Sequence, residues 1–185
     1  MRKLISSINV TLDGFCNHTA VIADEALHEN ANELFKNADT LLFGRVTYEL
    51  MEQGWPPVVK NPTGIKAVDT FARLIDNIRK IVFSRTLKQE DWKNTTLATG
   101  SLGDEVVKLK EQPGKDILVG SPSLIQSLTN LNLIDEYQLC VQPIILGNGL
   151  PLFKNIDHRH DLQLVNSKTL DSGVVVLNYI IKTRH

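Results

Sequence analysis

Cysteine, methionine and aromatic side chains are scarce in this chain, and neither sign of charge dominates it. The two cysteines, Cys16 and Cys140, stand far apart among 185 residues, which is too few for the disulfide framework of a small secreted domain. The opening MRKLISSINV has no uninterrupted apolar run of the kind a secretory leader carries. Together these absences lead us to expect a reduced, cytoplasmic protein. No stretch approaches about eighteen consecutive apolar residues, which argues against a membrane helix. No low-complexity tract and no repeat with a period of roughly 20–50 residues suggests a solenoid. Twenty Lys and Arg against twenty-one Asp and Glu give a formal net charge of -1, so the overall balance recruits neither nucleic acid nor an anionic membrane. Any basic site must be local.

Several catalytic signatures are missing too. There is no Gly-x-Ser-x-Gly elbow and no Walker sequence. His158-Arg159-His160 has neither carboxylate nor cysteine at a spacing that would complete a metal site, and His28-Glu29-Asn30 does not extend to a zincin pattern. We therefore expect no metal.

What remains is ordinary globular composition, 42% hydrophobic and 22% charged, in a chain long enough to bury roughly 70% of its unfolded surface. One domain over residues 1–185 is expected. Lys3–Val10 reads as a strand closed by the turn Thr11-Leu12-Asp13-Gly14, where Gly14 suits a positive φ. From Asp24 to about Asn37, Leu27, Ala31, Leu34, Phe35 and Ala38 recur with helical period. A strand at Thr40–Phe43 leads into a short helix, then a loop holding Trp55, Pro56, Pro57 and Pro62, then a helix near Ile65–Asn77. Strands at Arg79–Ser84 and Thr95–Thr99, a helix at Leu102–Glu111, a strand at Asp116–Gly120 and a helix to about Leu131 continue the alternation. Asp135–Leu146 reads as a strand ending at Gly147-Asn148-Gly149, whose glycines we take as a structural turn before Pro151. Leu162–Leu170 and Val174–Lys182 form a hairpin about Asp171-Ser172-Gly173. Strands alternating with helices, followed by consecutive strands, predict a three-layer α/β domain with a mainly parallel mixed sheet and an antiparallel C-terminal hairpin.

In such sheets ligands collect at the carboxyl ends of the strands, where helix starts present unpaired N–H groups. Three strand ends share a common grammar. In Phe43-Gly44-Arg45-Val46-Thr47, Gly44 permits close approach, Arg45 offers a fork for phosphate, and Thr47 places a hydroxyl at a helix start. Phe83-Ser84-Arg85-Thr86 again delivers a hydroxyl and a guanidinium, and Val119-Gly120-Ser121-Pro122 meets a helix opening behind a proline. Each alone is equally an ordinary turn. Two arginines and a glycine-bearing helix start suit a dinucleotide with an extra phosphate, which favours NADPH over NADH.

These residues resemble a known family. GRVTYE, VFSRTL, LVGSPSLI, LIDEY and QPIILGNGLPLF, with SINVTLDGF at the start, are similar in that order to the dihydrofolate reductase-like superfamily, and more closely to its branch containing the riboflavin-biosynthesis (RibD) reductase C-terminal domain. The resemblance implies an often dimeric, NADPH-dependent reductase that passes hydride to a pyrimidine or pterin-like ring, of the 5-amino-6-(5-phosphoribosylamino)uracil reductase type. It implies that Gly44, Arg45 and Thr47 hold cofactor phosphates, that Ser84 and Arg85 face the adenosine 2′-phosphate, and that Gly120 and Ser121 meet the pyrophosphate. Riboflavin-pathway reductases carry a lysine where this chain has Ser7 and a glutamate where it has Val119. Dihydrofolate reductases place a helix carboxylate near the position of His28, with Glu25 one turn earlier. Glu25 and His28 share a helix face and are candidates to relay a proton; the bland alternative is two solvated polar residues. Genuine dihydrofolate reduction and a non-catalytic NADPH-binding protein are the alternative functions.

Three further residues border the expected substrate side. Asn9 and Asp13 lie at the mouth of the first strand, where Asp13 is either a ligand contact or simple turn chemistry. Trp55 either stacks on a flat heterocycle or anchors its loop.

Overall fold

The computed structural model describes residues 1–182; residues 183–185, counted in the expected domain, lie outside the described residues. Five helices and eight strands are formed among the described residues. Their order is β1 (Leu4–Thr11), α1 (Glu25–Lys36), β2 (Ala38–Gly44), α2 (Arg45–Lys60), α3 (Lys66–Asn77), β3 (Arg79–Phe83), β4 (Thr95–Leu97), α4 (Leu102–Glu111), β5 (Asp116–Val119), α5 (Pro122–Asn130), β6 (Glu136–Gln142), β7 (Leu162–Thr169) and β8 (Val175–Ile181). One sheet runs β4-β3-β2-β5-β1-β6-β8-β7. Its strands are parallel from β4 to β6, while β8 runs antiparallel between β6 and β7. The expected mixed α/β architecture and C-terminal hairpin are both present.

The period-2 alternation of buried strands sorts side chains between two cores. Leu42, Ile81, Ile117 and Val119 face α4 and α5 through Val106, Leu109, Leu124, Ile125 and Leu128. Leu41, Phe43, Val82 and Leu118 face the other way, toward Leu34 and Phe35 of α1, Tyr48, Met51 and Trp55 of α2, and Phe71 and Ile75 of α3. The sheet is thus covered on both sides at β2, β3 and β5, which fixes their register, because a one-residue slip would exchange the two sets.

Two expectations need correction. Trp55, Pro56 and Pro57 belong to α2, which runs unbroken for sixteen residues, and only Pro62 lies in the connection to α3. Proline removes helix hydrogen bonds, but the carbonyls freed by Pro56 and Pro57 are those of half-buried Glu52 and exposed Gln53, which water can pair. Burial of Tyr48 and packing of Met51 and Trp55 against α3 and the sheet outweigh the loss. The strand expected to reach Leu146 ends at Gln142, because Pro143 has no amide to continue the ladder.

Candidate active site

The carboxyl ends of β2 and β5 lie side by side, with Leu42 opposite Val119. Each runs directly into a helix, α2 after Gly44 and α5 after Ser121. The Gly44 N–H donates to the Ser121 hydroxyl at 2.9 Å, so one side chain joins the two helix starts. A Cβ on Gly44 would stand 3.3 Å from the Ser123 hydroxyl, and one on Gly120 would stand 3.2 Å from the Ser7 carbonyl. Gly44 therefore clears the side chains at the start of α5, and Gly120 clears the backbone of β1. Neither helix start has a side-chain cap or an acidic residue in its first turn. Their positive dipole ends remain unneutralised, which suits an anion such as a pyrophosphate.

Around this point stand the other cofactor candidates. Arg45 is folded onto its own helix, with one nitrogen donating to both carboxylate oxygens of Glu49 at 3.0 and 2.9 Å. That exposed i,i+4 pair is weak, about 0.3–0.5 kcal/mol, so an incoming phosphate can displace it. Thr47 is half-buried in the first turn. The Ser84 hydroxyl accepts from the Thr86 and Leu87 amides at 3.1 and 2.9 Å, closing a turn that projects Arg85 into solvent. Among the described residues no carboxylate pairs with Arg85.

The substrate-side candidates diverge. Asn9 accepts from the Gln142 amide at 2.9 Å. Asp13 accepts from the Thr11 hydroxyl at 2.6 Å, from Gly147 N–H at 2.7 Å and from Leu146 N–H at 3.1 Å. These bonds, the Thr11 hydroxyl foremost, hold its carboxyl down at about 2. Asp13 fastens the connection after β6 to the mouth of β1. Trp55 donates to the Met51 sulfur at 3.1 Å and packs edge-on against Phe71 at 4.6 Å and His28 at 6.0 Å. Its ring is wedged between α1, α2 and α3.

Glu25 is exposed in the first turn of α1, and no hydrogen bond joins it to His28. The His28 ring turns back so that Nδ1 lies 2.7 Å from the Asp24 carbonyl. A carbonyl only accepts, so Nδ1 carries the hydrogen and Nε2 of the neutral ring is the bare acceptor. Nε2 has no partner among the described residues.

A row of buried amides escaped the sequence reading. Gln142 is fully buried, accepting from Ile22 N–H at 2.9 Å while it donates to Asn9. Gln138 accepts from the Ser7 hydroxyl at 3.0 Å and from the Asn30 amide at 3.4 Å. The available signal was Gln138 and Gln142 sharing one face of an otherwise apolar strand. This row lines β1 and β6 beneath α1 with neutral hydrogen-bonding groups. Separately, a groove of about 320 Å³ between α1 and β6, β7 and β8 includes Gln138 and Asn30 but lies away from the two helix starts.

Residues 2–176 match the model of the RibD C-terminal domain family. The chain belongs to that family. It is 36% identical over 182 residues to the uncharacterized protein YyaP of Bacillus subtilis strain 168, covering 96% of this chain and 94% of that protein. Its fold is similar to a putative riboflavin biosynthesis protein from Shewanella sp. PV-4, at TM-score 0.74 and 19% identity, covering 99% of this chain and all of that one. Dihydrofolate reductase from Enterococcus faecalis, complexed with NADP(H) and RAB-propyl, has the same fold at TM-score 0.63 and 14% identity, covering 98% and 97%. The three-layer fold of this RibD-type domain is therefore dihydrofolate reductase-like, as the sequence motifs imply.

Proposed function

We propose that this RibD-type domain is an NADPH-dependent reductase that delivers hydride to a pyrimidine or pterin-like ring. The observation that carries the reading is the pair of uncapped helix starts joined by Gly44 and Ser121. NADP(H) bound to the Enterococcus reductase of the same fold supports it. Gly44, Thr47, Gly120 and Ser121 form the cradle for the diphosphate, Arg45 leaves Glu49 for a phosphate, and Ser84 and Arg85 present a turn to the 2′-phosphate.

NADPH supplies the hydride when bound. The chain orients the acceptor ring and handles a proton. Asn9 and the neighbouring amides offer neutral donors and acceptors suited to the edge of a pyrimidine or pterin, with Trp55 closing the wall through His28. His28 is the proton donor in this reading, once the bare Nε2 has taken up a proton, with Nδ1–H held by the Asp24 carbonyl; Glu25 is the alternative donor. Ser7 stands on β1 where riboflavin-pathway reductases carry a lysine and donates its hydroxyl to the Gln138 amide, so this position supplies no cation for a substrate phosphate. Asp13 acts on the substrate side by holding the loop that borders it.

We further propose that the chain folds as one domain, and that it works as a homodimer in a reducing compartment. Exposed Leu164 and Val165 on the edge strand β7 suit pairing of two copies, and both cysteines are free. No helix among the described residues is long and apolar enough to cross a membrane.

Titration with NADPH and NADH, followed by turnover assays with reduced-pyrimidine and dihydropterin precursors, tests the reading. Tight NADPH binding with turnover is expected. Binding without turnover favours the non-catalytic alternative, and an absence of NADPH preference overturns the cofactor assignment.

A further inference from the structure

Tyr48, at the end of the first turn of α2, is completely buried, and its one oxygen is used twice. It donates to the Glu52 carboxylate at 2.7 Å and accepts from the backbone N–H of Trp92 at 3.2 Å. Burial and the Glu52 carboxylate push its phenol up, so it stays a neutral hydroxyl. Trp92 is the far foot of the excursion from Ser84 to Asn94, and it is buried while its neighbours Glu90, Asp91, Lys93 and Asn94 are exposed.

Several groups hold Trp92. Its indole N–H donates to Asp76 at 2.7 Å, its ring stacks on Phe43 at 6.4 Å, and the Lys80 ammonium sits 4.3 Å over that ring. Lys80 spends its three donors on the Asp76, Ile78 and Lys93 carbonyls at 3.0, 3.0 and 3.1 Å. This arrangement pins the loop to the sheet, but the Tyr48 oxygen is the hydrogen bond that ties the loop to α2. Phe43 and Tyr48, which both touch Trp92, flank Gly44 to Thr47 in the chain. At the near foot, the Ser84 turn carries Arg85 outward with no carboxylate partner among the described residues.

We propose that Tyr48 is a positioning residue that sets the distance between the α2 helix start and the Arg85 turn, and so tunes the preference for a nucleotide bearing a 2′-phosphate. This rests on the NADPH reading above. The two ends grip different parts of one ligand, so a fixed separation rewards NADPH, whereas NADH needs only the helix starts.

Tyr48→Phe tests this, because it keeps the contacts of the ring with Phe43 and Trp92 and removes only the oxygen. Hydrogen exchange on the cofactor-free protein is expected to quicken for amides 85–91 and to stay unchanged in α5. Affinity for NADPH is expected to fall about tenfold, with NADH held within about twofold. Trp92→Phe, which loses the bond to Asp76, should shift the ratio in the same direction. Unchanged exchange in 85–91, or equal loss of both nucleotides, overturns the proposal. A wild-type protein that does not distinguish the two nucleotides overturns the cofactor reading instead, and the exchange rates still decide whether Tyr48 braces the loop.

Discussion

The amide of Gly44 and the hydroxyl of Ser121 meet at 2.9 Å, seventy-seven residues apart in the chain, and bind the start of α2 to the start of α5. Ser121 is buried, so its loss leaves the Gly44 N–H without an acceptor and without access to water. Ser121→Ala should destabilise the protein by about 1–3 kcal/mol, the cost of an unsatisfied buried amide. It should also weaken NADPH binding, because the two helix starts no longer share a fixed separation. Denaturant unfolding and fluorescence titration on the same preparation check both, and a neutral variant would mean that the two ends need no tie.

Arg45 is held by Glu49 in the free protein, whereas Arg85 is not held by any carboxylate among the described residues. If phosphate must draw Arg45 away from Glu49, then Glu49→Gln should tighten NADPH about twofold, the value of an exposed i,i+4 pair. Arg85→Ala should weaken NADPH about tenfold and leave NADH unaffected, since charge-assisted hydrogen bonds are among the strong ones. Titrations at low and high salt separate the two, because screening erases the Glu49 effect first.

The arrangement at these strand ends was legible because it is local. A strand, a glycine, an arginine and a helix follow one another in sequence, and the parallel sheet then aligns the ends of β2, β3 and β5 without further information. Trp55 was not legible as helical, since two consecutive prolines are a correct local reason to expect a loop. The burial that overrides them comes from α3 and the sheet. Asn9 was named as a candidate, but its bond to Gln142 and that of Gln142 to Ile22 were beyond reach for the same reason, because a buried amide is recognisable only once its partners across the fold are in place.

His28 and Glu25, three residues apart on α1, are not joined by a hydrogen bond in the folded protein. His28 has one nitrogen fixed by the Asp24 carbonyl and the other unpartnered among the described residues, while Glu25 stands in solvent. His28→Gln should lower kcat about 100-fold, a usual loss for a general acid, and leave NADPH affinity unchanged. Glu25→Gln should be nearly silent. Steady-state rates at saturating NADPH decide it, and the opposite ranking would move the proton to Glu25.

Asp13 gives the fold a defined sensitivity to acid. Its carboxyl ordinarily titrates at 3.8 and is held at about 2 here, by the Thr11 hydroxyl first and then by the Gly147 and Leu146 amides. The unfolded chain therefore binds this proton more readily than the folded one, and stability rises with pH between the two values. The stabilisation is complete above about pH 4 and is lost as pH falls through about 2. Asp13→Asn should melt below wild type at neutral pH, and the gap should close on acidification across that window, because protonated aspartate can no longer accept in the same way. Thermal melts at several pH values follow the gap directly. A constant gap down to pH of about 2 would mean that Asp13 matters through shape alone, and that its hydrogen bonds to the loop at Gly147 do not depend on charge.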